Sequence, residues 1–167
     1  MEQVFRALKR LVDDLNRYRQ EWAPQEREIQ ARLYHHLVAE FDNFTKVGVE
    51  RRFDGGRNPI DLSIDPHKCA IELKVFTNIN HLRYIRKIFE QEEEGRNTDI
   101  ERFNQATADF KSRMLVLVDE CGMLNRMHNG RNYRELIREH IRATCPENTT
   151  LIIIEPDERG AFGLHQE

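Results

Sequence analysis

Asp61, Glu72 and Lys74 are the residues whose types and spacing could do chemistry. They lie in the stretch 58–76, NPIDLSIDPHKCAIELKVF. Ile60, Leu62 and Ile64 alternate with Asp61, Ser63 and Asp65; Cys69, Ile71, Leu73 and Val75 alternate with Ala70, Glu72 and Lys74. Two such runs around Asp65-Pro66-His67-Lys68 spell a β-hairpin. Symmetric closure sets Ile64 against Cys69 and Leu62 against Ile71, so Asp61 falls opposite Glu72, and Lys74 shares their face two residues on. Carboxylates facing each other with Cβ atoms about 5 Å apart repel. A divalent cation between them relieves the repulsion, because Mg²⁺ takes one or two carboxylates, retained waters and phosphate oxygens. A lysine beside it can orient or help deprotonate a bound water, which suits hydrolysis of a phosphodiester. The plainer reading is a solvated charge cluster on the outer face of a hairpin, with Lys74 offsetting the two acids.

At these residues the chain resembles the PD-(D/E)xK nuclease superfamily, the restriction-endonuclease-like fold. Asp61 matches the motif's aspartate and Glu72-Leu73-Lys74 its acid-x-lysine, while Pro59 departs from the pattern by standing one residue away, across Ile60. The resemblance implies an α/β fold: a central mixed β-sheet flanked by helices, in the order α-β-β-β-α-β with an additional helix and strand. It also implies Mg²⁺ or Mn²⁺ held by Asp61, Glu72 and the Leu73 carbonyl, Lys74 acting on the attacking water, and a nucleic-acid substrate, DNA first. A glutamate on the helix before the sheet often completes such a site. Glu28, one residue before the buried stripe, fits that place better than Glu26, though a carboxylate favouring a helix N-terminus explains it equally. Glu50, on the polar face of the preceding strand, is a further acid or a partner for Arg52. Gln105 in ERFNQATADF stands where several relatives carry a glutamine; a solvated side chain is the other reading.

These residues need elements to position them. Val4, Leu8, Leu11, Leu15, Tyr18 and Trp22 recur at spacings of 4 and 3 over 3–22, a narrow heptad seam that suits packing within the domain equally with a homodimer or partner-binding element. Pro24 breaks that helix, and a second runs from 25 to 41 with Ile29, Leu33, Leu37 and Phe41 on one face. His35 and His36 point to different faces of it, which favours surface positions. Residues 45–53 read as a first strand, and Asp54-Gly55-Gly56-Arg57-Asn58 as a turn. After the hairpin, Thr77 or Asn78 caps a helix burying Ile79, Leu82, Ile85 and Phe89; Asp99 caps another with Ile100, Phe103, Thr107 and Phe110 on one face. RMLVLVD at 113–119 is a strand buried on both faces, 133–141 a helix, and 151–154 a second buried strand, implying a parallel crossover. The last segment, 156–167, reads as a loose tail. The resemblance therefore spans about 25–155, and the chain divides into an N-terminal helical extension, 1–23, and a nuclease-like domain, 24–167.

Composition bounds the rest. The chain has 167 residues, 33% of them charged and 39% hydrophobic, with a net charge of −3, so it has enough apolar residues for a core and no overall basic character. Nucleic-acid binding would need local cations: Arg51, Arg52 and Arg57; Arg83, Arg86 and Lys87; or Arg126, His128, Arg131 and Arg134. No stretch is long and apolar enough to span a membrane, and MEQVFRALKR lacks a signal peptide's apolar core, so cytoplasmic residence is the default. Cys69, Cys121 and Cys145 are too dispersed for a zinc or disulfide framework; Cys69 reads as a small apolar residue on the inner face of its strand. A scaffold protein that does not use the acids, and a nuclease for RNA or branched DNA, are the rival expectations.

Overall fold

The computed structural model describes residues 1–18, 25–52, 59–64, 68–78, 82–91 and 97–167. Trp22, Pro24, Phe53, the turn at 54–58, the hairpin turn at 65–67, Ile79 and His81 fall outside the described residues. The chain is α/β: six strands form one mixed sheet with helices on both faces. In chain order its elements are α1 (Glu2–Tyr18), α2 (Glu26–Phe41), β1 (Val47–Arg51), β2 (Ile60–Ile64), β3 (Cys69–Phe76), α3 (Leu82–Phe89), α4 (Asp99–Ala106) and β4 (Arg113–Asp119). There follow a small hairpin, β5 (Met127–His128) and β6 (Arg131–Asn132), then α5 (Tyr133–Thr144), β7 (Thr149–Pro156) and β8 (Phe162–Gln166).

The sheet order is β1-β2-β3-β4-β7-β8. The first three strands pair antiparallel, β3, β4 and β7 run parallel, and β8 turns back antiparallel on β7. β4, at the centre, is buried along its whole length, as its continuous apolar run requires of a strand covered on both faces.

One face of the sheet carries α1 and α2, the other α3, α4 and α5. Val4, Leu8, Leu11 and Leu15 of α1 join Ile29, Leu33 and Leu37 of α2 over Ile71, Leu73, Val116 and Ile152 in a single cluster. The heptad stripe is therefore packed within the domain, and α1 shares a core with the residues that follow it. Phe76, Ile85, Ile100, Leu117, Tyr133, Ile137 and Ile153 fill the opposite side.

Two sequence expectations change, and one element is added. Residues 156–167 are not a loose tail: Asp157 Oδ1 accepts the N–H groups of Arg159 and Ala161, closing a turn that brings β8 onto β7. Asn16 of α1 then exchanges two hydrogen bonds with the Phe162 backbone, at 2.7 and 3.1 Å. On α3 the buried face is Ile85 and Ile88, with Leu82 exposed. Between β4 and α5 lies the β5–β6 hairpin, whose Asn129 and Gly130 both have positive φ, as a two-residue Asn-Gly turn demands.

Leu11→Ala, at a fully buried position, is expected to cost about 2–5 kcal/mol in denaturant unfolding.

Candidate active site

The β2–β3 register matches the hairpin reading: Leu62 opposes Ile71 and Ile64 opposes Cys69, which continued one step sets Asp61 against Glu72. At that step the ladder ends. Ile60 packs with Ala70, Phe103 and Phe110, whereas Leu62 and Ile64 pack under α1 and α2. Ile60 and Leu62 thus point to opposite faces, which strict alternation through Asp61 would forbid. Asp61 is where β2 turns away from β3. Its carboxylate reaches sideways instead, and Oδ2 accepts the Leu73 N–H at 2.8 Å.

The next donor along the same edge of β3 is the Val75 N–H, which goes to Glu26 Oε2 at 3.3 Å. Two side-chain carboxylates thus replace the missing strand, as orphaned backbone donors require. A strand residue projects its N–H and C=O to the same edge, so the Leu73 carbonyl faces the gap that Asp61 and Glu26 border.

Gln30 of α2 fixes Asp61 from behind. It is only 8% exposed, and its Nε2 donates to the Asp61 carbonyl at 3.0 Å. Gln30 and Glu26 are four residues apart on α2 and so share a face, which is why Glu26, and not Glu28, meets the sheet. Glu28 Oε2 accepts the Gln25 N–H at 2.8 Å and closes the helix's first turn.

Glu72 and Lys74 lie on the α4 face, both largely buried, with Lys74 Nζ donating to Glu72 Oε1 at 2.8 Å. Thr98, not Asp99, caps α4, accepting the Glu101 N–H. Asp99 becomes the first helical residue and pairs with Arg102 beside Lys74. Two cavities of about 300 and 330 Å³ flank this point, both touching Lys74 and Asp99; Glu72, Ile60 and Arg102 line one, Glu26 and Tyr84 the other. Gln105 is exposed and lies on the side of α4 away from Asp99, Arg102, Phe103 and Ala106, which line the first cavity.

The electrostatics follow from burial. Desolvation, opposed by Lys74 and reinforced by Asp61, pushes Glu72 up to about 7. Asp61 is raised by desolvation against the pull of Lys74 and the Leu73 N–H, with Glu50 adding to the rise. Glu26 is raised in the same way, desolvation first. Burial works against the charge of Lys74, yet Glu72, Glu26 and Asp61 together hold it above the ordinary lysine value. One lysine thus stands among acids that cannot all ionise cheaply.

Sequence reasoning placed Asp61, Glu72 and Lys74 together, and the structure does too. It missed Gln30, ranked Glu26 behind Glu28, and read Asp99 only as a cap. The signal for the first two was a polar pair at helical spacing ahead of Leu33 and Leu37; for Asp99 it was the better capping spacing of Thr98 with Glu101. Of the cations proposed for binding, Arg131 is paired with Glu139, Arg134 with Glu155 and Glu167, and His128 with Glu90. Among the described residues no group of three or more His, Cys, Asp or Glu side chains converges to hold a metal ion. Comparison of the chain with protein-family models, curated proteins and solved structures finds no match.

A raised carboxylate favours its protonated form in the fold, so its contribution is full below the unfolded value near 4.5 and is lost as pH rises through about 7. Wild-type stability without divalent cations should fall by up to a few kcal/mol between those limits. Glu72→Gln should flatten that fall, measured as melting temperature against pH.

Proposed function

We propose that this chain is a metal-dependent nuclease on a restriction-endonuclease-like core, hydrolysing phosphodiester bonds in DNA. The observation that supports this reading is the ladder break at Asp61, which gathers Asp61, Glu72, Lys74 and the Leu73 carbonyl at one open strand edge beside a cavity. These are hard oxygen donors of the kind Mg²⁺ or Mn²⁺ takes, two carboxylates and a carbonyl with the remaining positions left to water and phosphate. Asp61 uses one oxygen for the Leu73 N–H and Glu72 one for Lys74, so each has a second oxygen for the ion. Glu26 is the helix carboxylate nearest this set, in the role that sequence alone gave to Glu28.

When bound, the ion supplies Lewis acidity and charge neutralisation at the phosphate. The chain's residues do the rest. Asp61 and Gln30 fix the edge on which donors converge, and Lys74 is held charged, able to orient a water and to counter charge growing on the phosphate oxygens. Glu72 is raised by desolvation against the pull of that lysine, with the charge of Asp61 adding to the rise.

One observation favours a second reading, a binding or scaffold protein on the same framework: Lys74 already neutralises Glu72 at 2.8 Å, and among the described residues no group of three His, Cys, Asp or Glu side chains converges on one point. Divalent cations separate the two. A working site gains melting temperature with Mg²⁺ or Mn²⁺ by mass action, more at pH 8 than at pH 5 because ions compete with protons on Glu72; a scaffold gains none.

The experiment is cleavage of supercoiled plasmid, single-stranded DNA, branched DNA and RNA with Mg²⁺ or Mn²⁺. Asp61→Ala should abolish metal-dependent cutting, and Lys74→Ala should lower it by about 10²–10⁴-fold with the fold retained. Cutting that survives both substitutions defeats the assignment; preference for RNA or a branched substrate would redirect it.

A further inference from the structure

Glu50 of β1 has φ 47°, in the left-handed region that residues with a Cβ rarely adopt. The pairing on either side is undisturbed, Val49 opposing Leu62 and Arg51 opposing Ile60. A left-handed residue inside a strand re-aims the side chains beyond it. Arg51 accordingly does not follow Val47 towards α1 and α2 but folds back over Gly48. A Cβ on Gly48 would lie 2.4 Å from Arg51 Cδ and Nε and 2.6 Å from Ser63 Oγ, so the absence of a side chain at 48 makes the channel in which the arginine stem rests.

The face is set by the neighbours. Gly48 opposes Ser63 and Ser63 opposes Ala70, and Ala70 packs with Ile60 and Phe103 on the α4 side. That is the face of Glu72 and Lys74. Ile60, the cross-strand partner of Arg51, also lines the cavity that Glu72 and Lys74 border. Arg51 is exposed, and among the described residues no carboxylate pairs with it, unlike Arg134 and Arg138 of α5.

We infer that Arg51 is a phosphate-binding residue, contacting a backbone phosphate of the strand whose neighbouring phosphodiester lies at Asp61 and Glu72. The inference rests on the nuclease reading and assigns the side from which the strand enters: past β1, over Gly48 and Ile60. A guanidinium matches two phosphate oxygens in a planar fork, and the kink at Glu50 fixes where that fork is offered.

The test is binding of labelled duplex and single-stranded oligodeoxynucleotides, with Ca²⁺ in place of Mg²⁺, across a range of KCl concentrations. Each phosphate contact contributes about 0.9 to the slope of log affinity against log salt on duplex and about 0.7 on a single strand. Arg51→Ala should lower the slope by about that amount and Arg51→Lys should restore most of it. Gly48→Ala should lower it with Arg51 still present, because the new methyl fills the stem's channel. Melting temperatures are followed alongside; should Gly48→Ala lose its fold, the two Arg51 variants decide. A wild type that binds and cuts, with the slope unchanged in Arg51→Ala, overturns this inference and leaves the nuclease reading standing. A wild type that neither binds nor cuts any nucleic acid overturns both.

Discussion

The hydrogen bond from the Leu73 N–H to the Asp61 carboxylate is the constraint on which the rest of the site depends. A strand edge that loses its partner leaves donors facing a poorly solvated gap, and such donors must be satisfied. Here the partner strand turns away at Asp61, and carboxylates from β2 and from α2 take its place. Negative charge is thereby concentrated where backbone carbonyls also point. Gln30 holds Asp61 from the helix side, and β4, buried on both faces, keeps β3 straight behind the gap.

The same arrangement sets the electrostatics. Glu26, Asp61, Glu72 and Asp99 surround Lys74, with Arg102 tied to Asp99. Desolvation raises the three acids nearest the gap, and their summed field raises the lysine. Such a cluster retains protons or recruits a cation, since replacing neither would leave like charges close together in a medium less polar than water. Structural ion-pair networks also perturb titration. What distinguishes this one is its place at a strand break beside cavities rather than along a uniform solvated face.

Irregularity recurs on both sides of this point. Glu50 stands in β1 at the position opposite Asp61 by register, and it is the residue with left-handed backbone. Inversions at 50 and 61 occur on paired strands, so the cross-strand pair Arg51 and Ile60 turns together onto the α4 face. Departures from ideal pleating of this kind re-aim side chains, and here they bring one exposed cation onto the face that carries Glu72 and Lys74.

Period-two alternation and turn residues were enough to determine the hairpin, its register and the proximity of Asp61, Glu72 and Lys74. Apolar runs likewise determined the buried strands at 113–119 and 151–154, because local patterns of hydrophobicity are dictated by which faces are covered. The stripe on α1 was legible as a stripe; whether it met its own domain or another chain depended on surfaces far along the chain, and the structure lays it against α2 and the sheet. The break at Asp61, the choice of Glu26 over Glu28, the support from Gln30 and the distance of Gln105 from the site were decided only by tertiary structure. Each turns on which backbone donors lose a strand partner and which helix face then covers them, and neither quantity exists until the strands and helices have packed.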